Sequence, residues 1–258
     1  TAWRFIPVIY LTQACLVRLE EKDVPQLAAN INALVTQLCN RYRLSPAEVQ
    51  MDCDWTKRSA RVYFALLKQL KQQSFFNNKL LSCTIRLHQV KYTAANGIPP
   101  VDKGLLMVYN MGNLTRYGGH NSVLEPDEAE QYLKSLGTYP LSLDVALPLY
   151  HWAALFEQKR FRGILYNLKK EQFGNRDLEY KEGNLYRIRK DSKVGGYTLK
   201  EGQEIRFEAP APRDLERIAS YIGTRIKDST FRLAFFHLDS IAMQPYQPSS
   251  LNKIKAAF

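Results

Sequence analysis

No stretch of about eighteen apolar residues occurs in the 258-residue sequence, so no segment has the length of a membrane-crossing helix. Cysteine is scarce. Cys15, Cys39, Cys53 and Cys83 show no C-x-x-C spacing, which removes the common zinc and dithiol-redox patterns. Cys53 and Cys83 fall among apolar neighbours and read as free, buried thiols, although sequence alone leaves a disulfide between them open. The four histidines, His88, His120, His151 and His237, are scattered, and no cofactor-binding pattern accompanies them. There is no repeat at a fixed period and no low-complexity tract. No signal-peptide pattern is present either. The chain opens at Thr1 directly into a strand-like segment, as a processed or truncated chain does, so export stays undecided.

What is present is positive charge. Lys and Arg number 36 against 25 Asp and Glu, a net charge of +11 that favours acidic partners. The basic residues do not cluster, however. The densest run, KEGNLYRIRKDSKVGG, interleaves acids, and no nucleic-acid motif appears, so a basic surface is the simpler reading than a nucleic-acid site. With 45% hydrophobic and 24% charged residues, the composition is that of an ordinary globular chain, long enough for one large core. Oligomeric state is not legible.

Periodicity predicts alternating strands and helices. WRFIPVIYL reads as a strand; the next segment carries Val24, Leu27, Ile31, Leu34, Leu38 and Tyr42 on one helical face, with Asp23 and Pro25 marking its start. EVQMDCDW is a strand, and SARVYFALLKQLKQQ a helix with Val62, Leu66 and Leu70 aligned. LSCTIRLHQV and GLLMVYNM are strands, EPDEAEQYLKSLG a helix with an acidic first turn, and LSLDVALPLYHW a further strand. Residues 158–208 break the alternation with short antiparallel strands such as NLYRIRK and YTLKEGQEIRFE. APRDLERIASYIG and TFRLAFFHLDS close the chain as helix and strand.

Two strands decide between an open sheet and a barrel. In VQMDCD, Val49, Met51 and Cys53 share one face, and Gln50, Asp52 and Asp54 the other; in CTIRLH, Thr84, Arg86 and His88 oppose Cys83, Ile85 and Leu87. An open parallel sheet covered by helices on both sides wants strands apolar throughout. A barrel tolerates polar residues inside. The expectation is therefore an α/β chain folded as a TIM-type (β/α) barrel, a single domain over 1–258, with a β-rich insertion at 158–208. Reactive groups of such barrels sit at the C-terminal strand ends, which singles out Asp54 and His88.

These residues carry a resemblance. VQMDCDWT resembles the strand-four signature of the chitinase-like, family-eighteen glycoside hydrolases, in which alternating aspartates lead through Asp-Trp to a catalytic Glu. LMVYNM is similar to the strand-six segment of that family, matching Met107 and Tyr109, with Asn110 where Asp is usual. VALPLYHWA resembles strand seven and matches Tyr150; AFFHLDS resembles strand eight, with Phe236 in place of a floor tryptophan. In that register the chain holds strands three to eight, the insertion falls between seven and eight, and strands one and two are not visible. The stretch from CTIRLHQVKY to GLLMVYNMGNL also resembles an uncharacterised bacterial family, which brings no activity with it.

The resemblance implies a glycan or oligosaccharide partner, N-acetylated or peptidoglycan-derived, no cofactor, and a lean toward a bacterial periplasmic or exported protein. It also implies roles: Asp54 would orient the substrate acetamido group and Tyr109 would hydrogen-bond it. The position of the acid, however, is Thr56, whose hydroxyl cannot protonate a leaving group near neutrality. Three readings stay open: a glycoside hydrolase with a relocated acid, a lectin-like glycan-binding barrel, and a protein-interaction barrel. For the first, Asp54, Asp52 and His88 are the catalytic candidates. Asp52 and Asp54 are roughly 6.5–7 Å apart along the strand by its rise per residue, and Glu125, Asp127 or Asp102 would complete a pair. The field of Asp54 is expected to raise the His88 pKa. For Asp52 an ion pair with Arg86 is the competing structural explanation. Tyr109, Tyr150, Arg86, Met107, Asn110, Trp152 and Phe236 are the substrate-binding candidates, with His151 beside Trp152. No metal site is expected, although Asp54 and His88 are one pair able to share an ion. Asn113 and His120 lie in a Gly-rich loop expected to be mobile.

Overall fold

The computed structural model describes residues 3–228, 230–244 and 246–258, and in 241–242 the backbone alone. Regular structure begins with β1 (Val8–Leu11), α1 (Gln13–Arg18) and the long helix α2 (Val24–Arg41). Pro25 occupies the first turn of α2, where a missing N–H breaks no helical hydrogen bond. Next come β2 (Glu48–Cys53), α3 (Ala60–Lys71), β3 (Leu80–Arg86), α4 (Leu87–Lys91) and α5 (Thr93–Asn96). They are followed by β4 (Lys103–Met107), α6 (Pro126–Leu133) and β5 (Leu143–Pro148). Seven short strands then succeed one another: β6 (Trp152–Glu157), β7 (Arg160–Tyr166), β8 (Leu178–Glu182), β9 (Leu185–Ile188), β10 (Ser192–Val194), β11 (Tyr197–Leu199) and β12 (Glu204–Glu208). The chain ends in α7 (Pro212–Gly223), β13 (Leu233–Phe236), α8 (Ser240–Met243) and α9 (Pro248–Ala256).

Six strands form one sheet in the order β1-β2-β3-β4-β5-β13. β1 to β4 pair in parallel, each beside the next in sequence, through crossovers that contain helices. This is the α/β, barrel-type succession that the strand patterns predict, and six strands match the register of strands three to eight. Five of the short strands form an antiparallel sheet of order β7-β6-β12-β9-β8, and β10-β11 a separate hairpin. The antiparallel sheet starts at Trp152, earlier than the sequence pattern indicates. Trp152–Glu157 is apolar enough to read as a continuation of β5, but the chain turns and pairs back with β7.

The chain divides into two compact units. The first comprises Thr1–Met107, Tyr132–Val145 and Ile226–Arg232; the second Val108–Gln131, Ala146–Arg225 and Leu233–Phe258. In the first unit, Val49, Met51 and Cys53 of β2 are fully buried, as are Tyr63, Leu66, Leu67 and Leu70 of α3. Trp55 is buried too, stacked on Tyr63 at 5.3 Å. All four cysteines are free. Burial raises the Cys83 thiol, and burial together with the Asp54 and Asp52 carboxylates pushes Cys53 up to about 12.

Helix α2 departs from expectation. Its buried line is Val24, Ala28, Ile31, Val35 and Cys39, while Leu34, Leu38 and Tyr42 are exposed. Both lines have helical spacing, but the small side chains of Ala28 and Cys39 are on the packed one. The larger ones flank a shallow apolar cavity of about 490 Å³ together with residues 5–10.

In the second unit, Ala153, Leu165, Ile188 and Ile205 share one core cluster, and Ala154, Phe156 and Leu185 another. Successive residues of β6 thus serve different clusters, as the two-residue strand period requires.

Candidate functional site

At the C-terminal end of β2 in the first unit, Asp54 is half-buried and held by Arg86 through both oxygens. Arg86 Nη2 donates to Oδ2 at 2.6 Å and Nε to Oδ1. The expected partner was Asp52; instead Asp52 accepts from Thr84 Oγ1 at 2.8 Å. Residue 86 ends β3 and Asp54 lies just past the end of β2, so the long guanidinium meets the outer carboxylate rather than the inner one. Thr84 also accepts from the Cys53 N–H at 3.2 Å, tying β2 to β3.

His88 is not a strand residue. β3 stops at Arg86, and the chain turns at once into α4, whose start is fixed by the Gln89 side chain accepting from the Arg86 N–H at 2.7 Å. His88 therefore stands exposed on a helix, off the strand face that it was expected to share with Asp54. Its pKa is lowered rather than raised: crowding by neighbouring atoms and the Arg86 charge outweigh the Asp54 carboxylate. Thr56 is exposed, and its carbonyl accepts from the Ser59 and Ala60 N–H groups at 3.0 and 2.9 Å, starting α3.

The opposite ends of the first unit's strands carry a closed charge network. Glu48 accepts from Ser82 at 2.6 Å and from Arg232 at 2.7 Å, while Asp144 pairs with Lys103 at 2.5 Å and with Arg232. Asp102 lies there as well, bound to Lys71 and to the Leu81 N–H, at the wrong end to complete a reactive pair. Met107, last in β4, is buried.

Aromatic rings gather in the second unit. Tyr109 stacks on Phe236 at 5.2 Å, nearly parallel, and meets Tyr150 edge-on at 5.9 Å. Tyr150 in turn stacks with His237 and touches Trp152. The Tyr150 hydroxyl donates to Asn110 Oδ1. Tyr109 and Tyr150 are 7% and 6% exposed, whereas Phe236 is 46% exposed, so Phe236 offers the open ring face. Asp127 pairs with Arg217, and Glu125 accepts from the Asn121 N–H. The loop of Asn113 and His120 is anchored: His120 contacts the Asn113 carbonyl and Arg206.

Arg206 is a residue that sequence reasoning missed. Fully buried, it pairs with Glu208 at 2.7 Å and donates to the carbonyls of Leu114, Arg116 and Gly118. Glu208 also accepts from Ser122. The signal was there: Glu204, Arg206 and Glu208 alternate along β12, three charges on one strand face. Also missed was what His151 and Trp152 lack: His151 Nε2 and Trp152 Nε1 are buried without a hydrogen-bond partner among the described residues. Among those residues no group of three metal-ligating side chains comes together, and no helix is long and apolar enough to cross a membrane.

No family model and no curated protein matches the chain. Solved structures do. A chitinase from Chromobacterium violaceum shares the fold with a TM-score of 0.58 at 11% identity, over 98% of this chain and 79% of that one. The spore cortex-lytic enzyme SleL of Bacillus megaterium gives 0.55 at 15% identity, over 99% of this chain and 59% of its own. A Group IV chitinase of Ostrinia furnacalis, solved with allosamidin, gives 0.54 at 14% identity, over 90% and 72%. The chain thus shares its fold with these chitinases and this cortex-lytic enzyme, at identities that mark a distant likeness.

Proposed function

We propose that this glycoside-hydrolase-like barrel binds a glycan without cleaving it by the usual acid-assisted route. The observation that carries this reading is the state of the β2 exit. Both Asp54 oxygens are occupied by Arg86 donors, and the residue at the acid position, Thr56, is exposed and carries an unionisable hydroxyl. A carboxylate bound in this bidentate way is an oriented acceptor. It serves as a proton donor only if the pair opens. In the second unit, the exposed face of Phe236, backed by Tyr109, supplies an aromatic surface of the kind on which sugar rings stack. The related folds named above are chitinases and a cortex-lytic enzyme, which supports an N-acetylated or peptidoglycan-derived ligand.

The test compares wild type with Asp54→Asn and Phe236→Ala on N-acetylated oligosaccharides and peptidoglycan fragments, following binding by calorimetry and cleavage by mass spectrometry. Binding without cleavage in wild type, weakened in Phe236→Ala, is the expected result. Cleavage that disappears in a folded Asp54→Asn protein would instead make this a hydrolase with a relocated acid. Silence across the panel would remove the glycan reading altogether.

A further inference from the structure

The second unit contains a cavity of about 680 Å³ that the Phe236 reading does not use. Its size is within the range of ordinary small-molecule sites. Leu149 and His151 enter it from the segment after β5, alternating with Tyr150, which belongs to the aromatic cluster. Trp152, Tyr186 and Phe207 add ring surface, and Lys169 and Lys170 add two ammonium groups.

The polar inventory of this cavity is unbalanced. Trp152 Nε1 and His151 Nε2 are buried and unpartnered among the described residues. Leaving such atoms unsatisfied is unfavourable, and a native structure keeps them for a reason. The indole N–H can only donate, and the described residues supply it no acceptor. The imidazole is held in its neutral form: burial lowers its pKa, with Lys169 and His237 helping and Asp239 and Glu171 opposing. Lys170 makes no ion pair among the described residues; its ammonium lies 2.9 Å from the Tyr186 hydroxyl and 4.4 Å from that ring's centre. Of the two lining carboxylates, Glu208 is engaged by Arg206 and Ser122, and only Glu171 is exposed.

We propose that this cavity is a second saccharide site, separate from the Phe236 face, and that it takes a sugar bearing a carboxylate. The ring faces receive the C–H surface of a pyranose, and Lys170 answers the carboxylate. The sugar part of this assignment rests on the glycan reading above; the preference for an acid rests on Lys170, since Lys169 already donates to Gln244 Oε1 at 3.1 Å.

N-acetylmuramic acid and N-acetylglucosamine, which differ by one lactyl ether carrying a carboxylate, are the probes. Trp152 reports directly, since the only other tryptophans are Trp3, removable as Trp3→Phe, and the fully buried Trp55. In the Trp3→Phe protein, N-acetylmuramic acid is expected to change the emission saturably and to bind about tenfold more tightly than N-acetylglucosamine. Lys170→Gln should bring the two sugars within about twofold of each other, and Phe236→Ala should leave the muramic acid titration unchanged. Equal affinities in wild type, a preference that survives Lys170→Gln, or loss of the signal in Phe236→Ala would each overturn the proposal. If the oligosaccharide panel binds while neither monosaccharide perturbs Trp152, the cavity assignment fails and the glycan reading stands. If muramic acid binds and the panel does not, the cavity assignment holds on its own.

Discussion

The strand-end cluster of the first unit and the cavity of the second draw on the same chemical types, an ionisable group beside a tryptophan, and end in opposite conditions. Around Asp54 the charges and the Trp55 indole are satisfied within the chain: Arg86 holds the carboxylate, and Trp55 Nε1 donates to the Asn96 carbonyl at 3.1 Å. Around Trp152 the indole nitrogen and the His151 Nε2 are left over among the described residues. What distinguishes a binding surface is availability. Residue type says which interactions a group is able to make; only the packing says which of them are already made.

That contrast is open to attack at several strengths. The largest effect is expected where satisfaction is complete and burial total. Arg206→Met leaves Glu208 as an uncompensated buried charge and should cost about 3–5 kcal/mol in a urea melt. A cost near zero would show that water reaches β12. Next comes Thr84→Val, which strips Asp52 and the Cys53 N–H of a shared hydroxyl and is expected to cost about 1–3 kcal/mol. A smaller effect concerns pH. The His151 pKa lies below its ordinary 6.5 in the folded protein, so the unfolded chain binds the proton first as pH falls. Its contribution is therefore intact above 6.5 and is lost as pH drops through the window between that value and the lowered one. His151→Phe should flatten the corresponding part of a stability-against-pH curve; an unchanged curve would place the imidazole in water. The smallest effect is the most telling. Trp152→Phe removes a donor that has no partner among the described residues and should shift stability by less than about 1 kcal/mol, while abolishing the fluorescence response to sugar.

Much of the fold was legible because strands and helices announce themselves by period. The β2 alternation was read correctly down to the half-buried Asp52 and Asp54 between buried Met51, Cys53 and Trp55. Where the reading failed, two patterns competed in the same residues. In α2 the larger apolar side chains suggested the buried face, yet Ala28 and Cys39 mark the line that packs. In CTIRLH the alternation ran past Arg86 into residues that α4 had already claimed, so His88 was given a strand direction that it does not have. The partner of Arg86 was misjudged for a related reason. A guanidinium at a strand terminus reaches outward along its long stem, and sequence separation does not record that reach. The cavity was out of view altogether, since an unmade hydrogen bond leaves no trace in a sequence.

Among the features of the first unit, its sealed thiols have a practical side. Alkylating reagents attack the thiolate, and with Cys53 pushed up to about 12 and Cys83 raised by burial, neither offers that form near neutrality while β2 and β3 stay paired. Modification of these two cysteines then waits on the opening of the sheet. The partly exposed Cys15 supplies an internal standard for reagent quality. The labelling rate of Cys53 and Cys83 becomes a stopwatch for local unfolding. It runs without any ligand, and it reads the stability of the strands that carry Asp54 and Arg86.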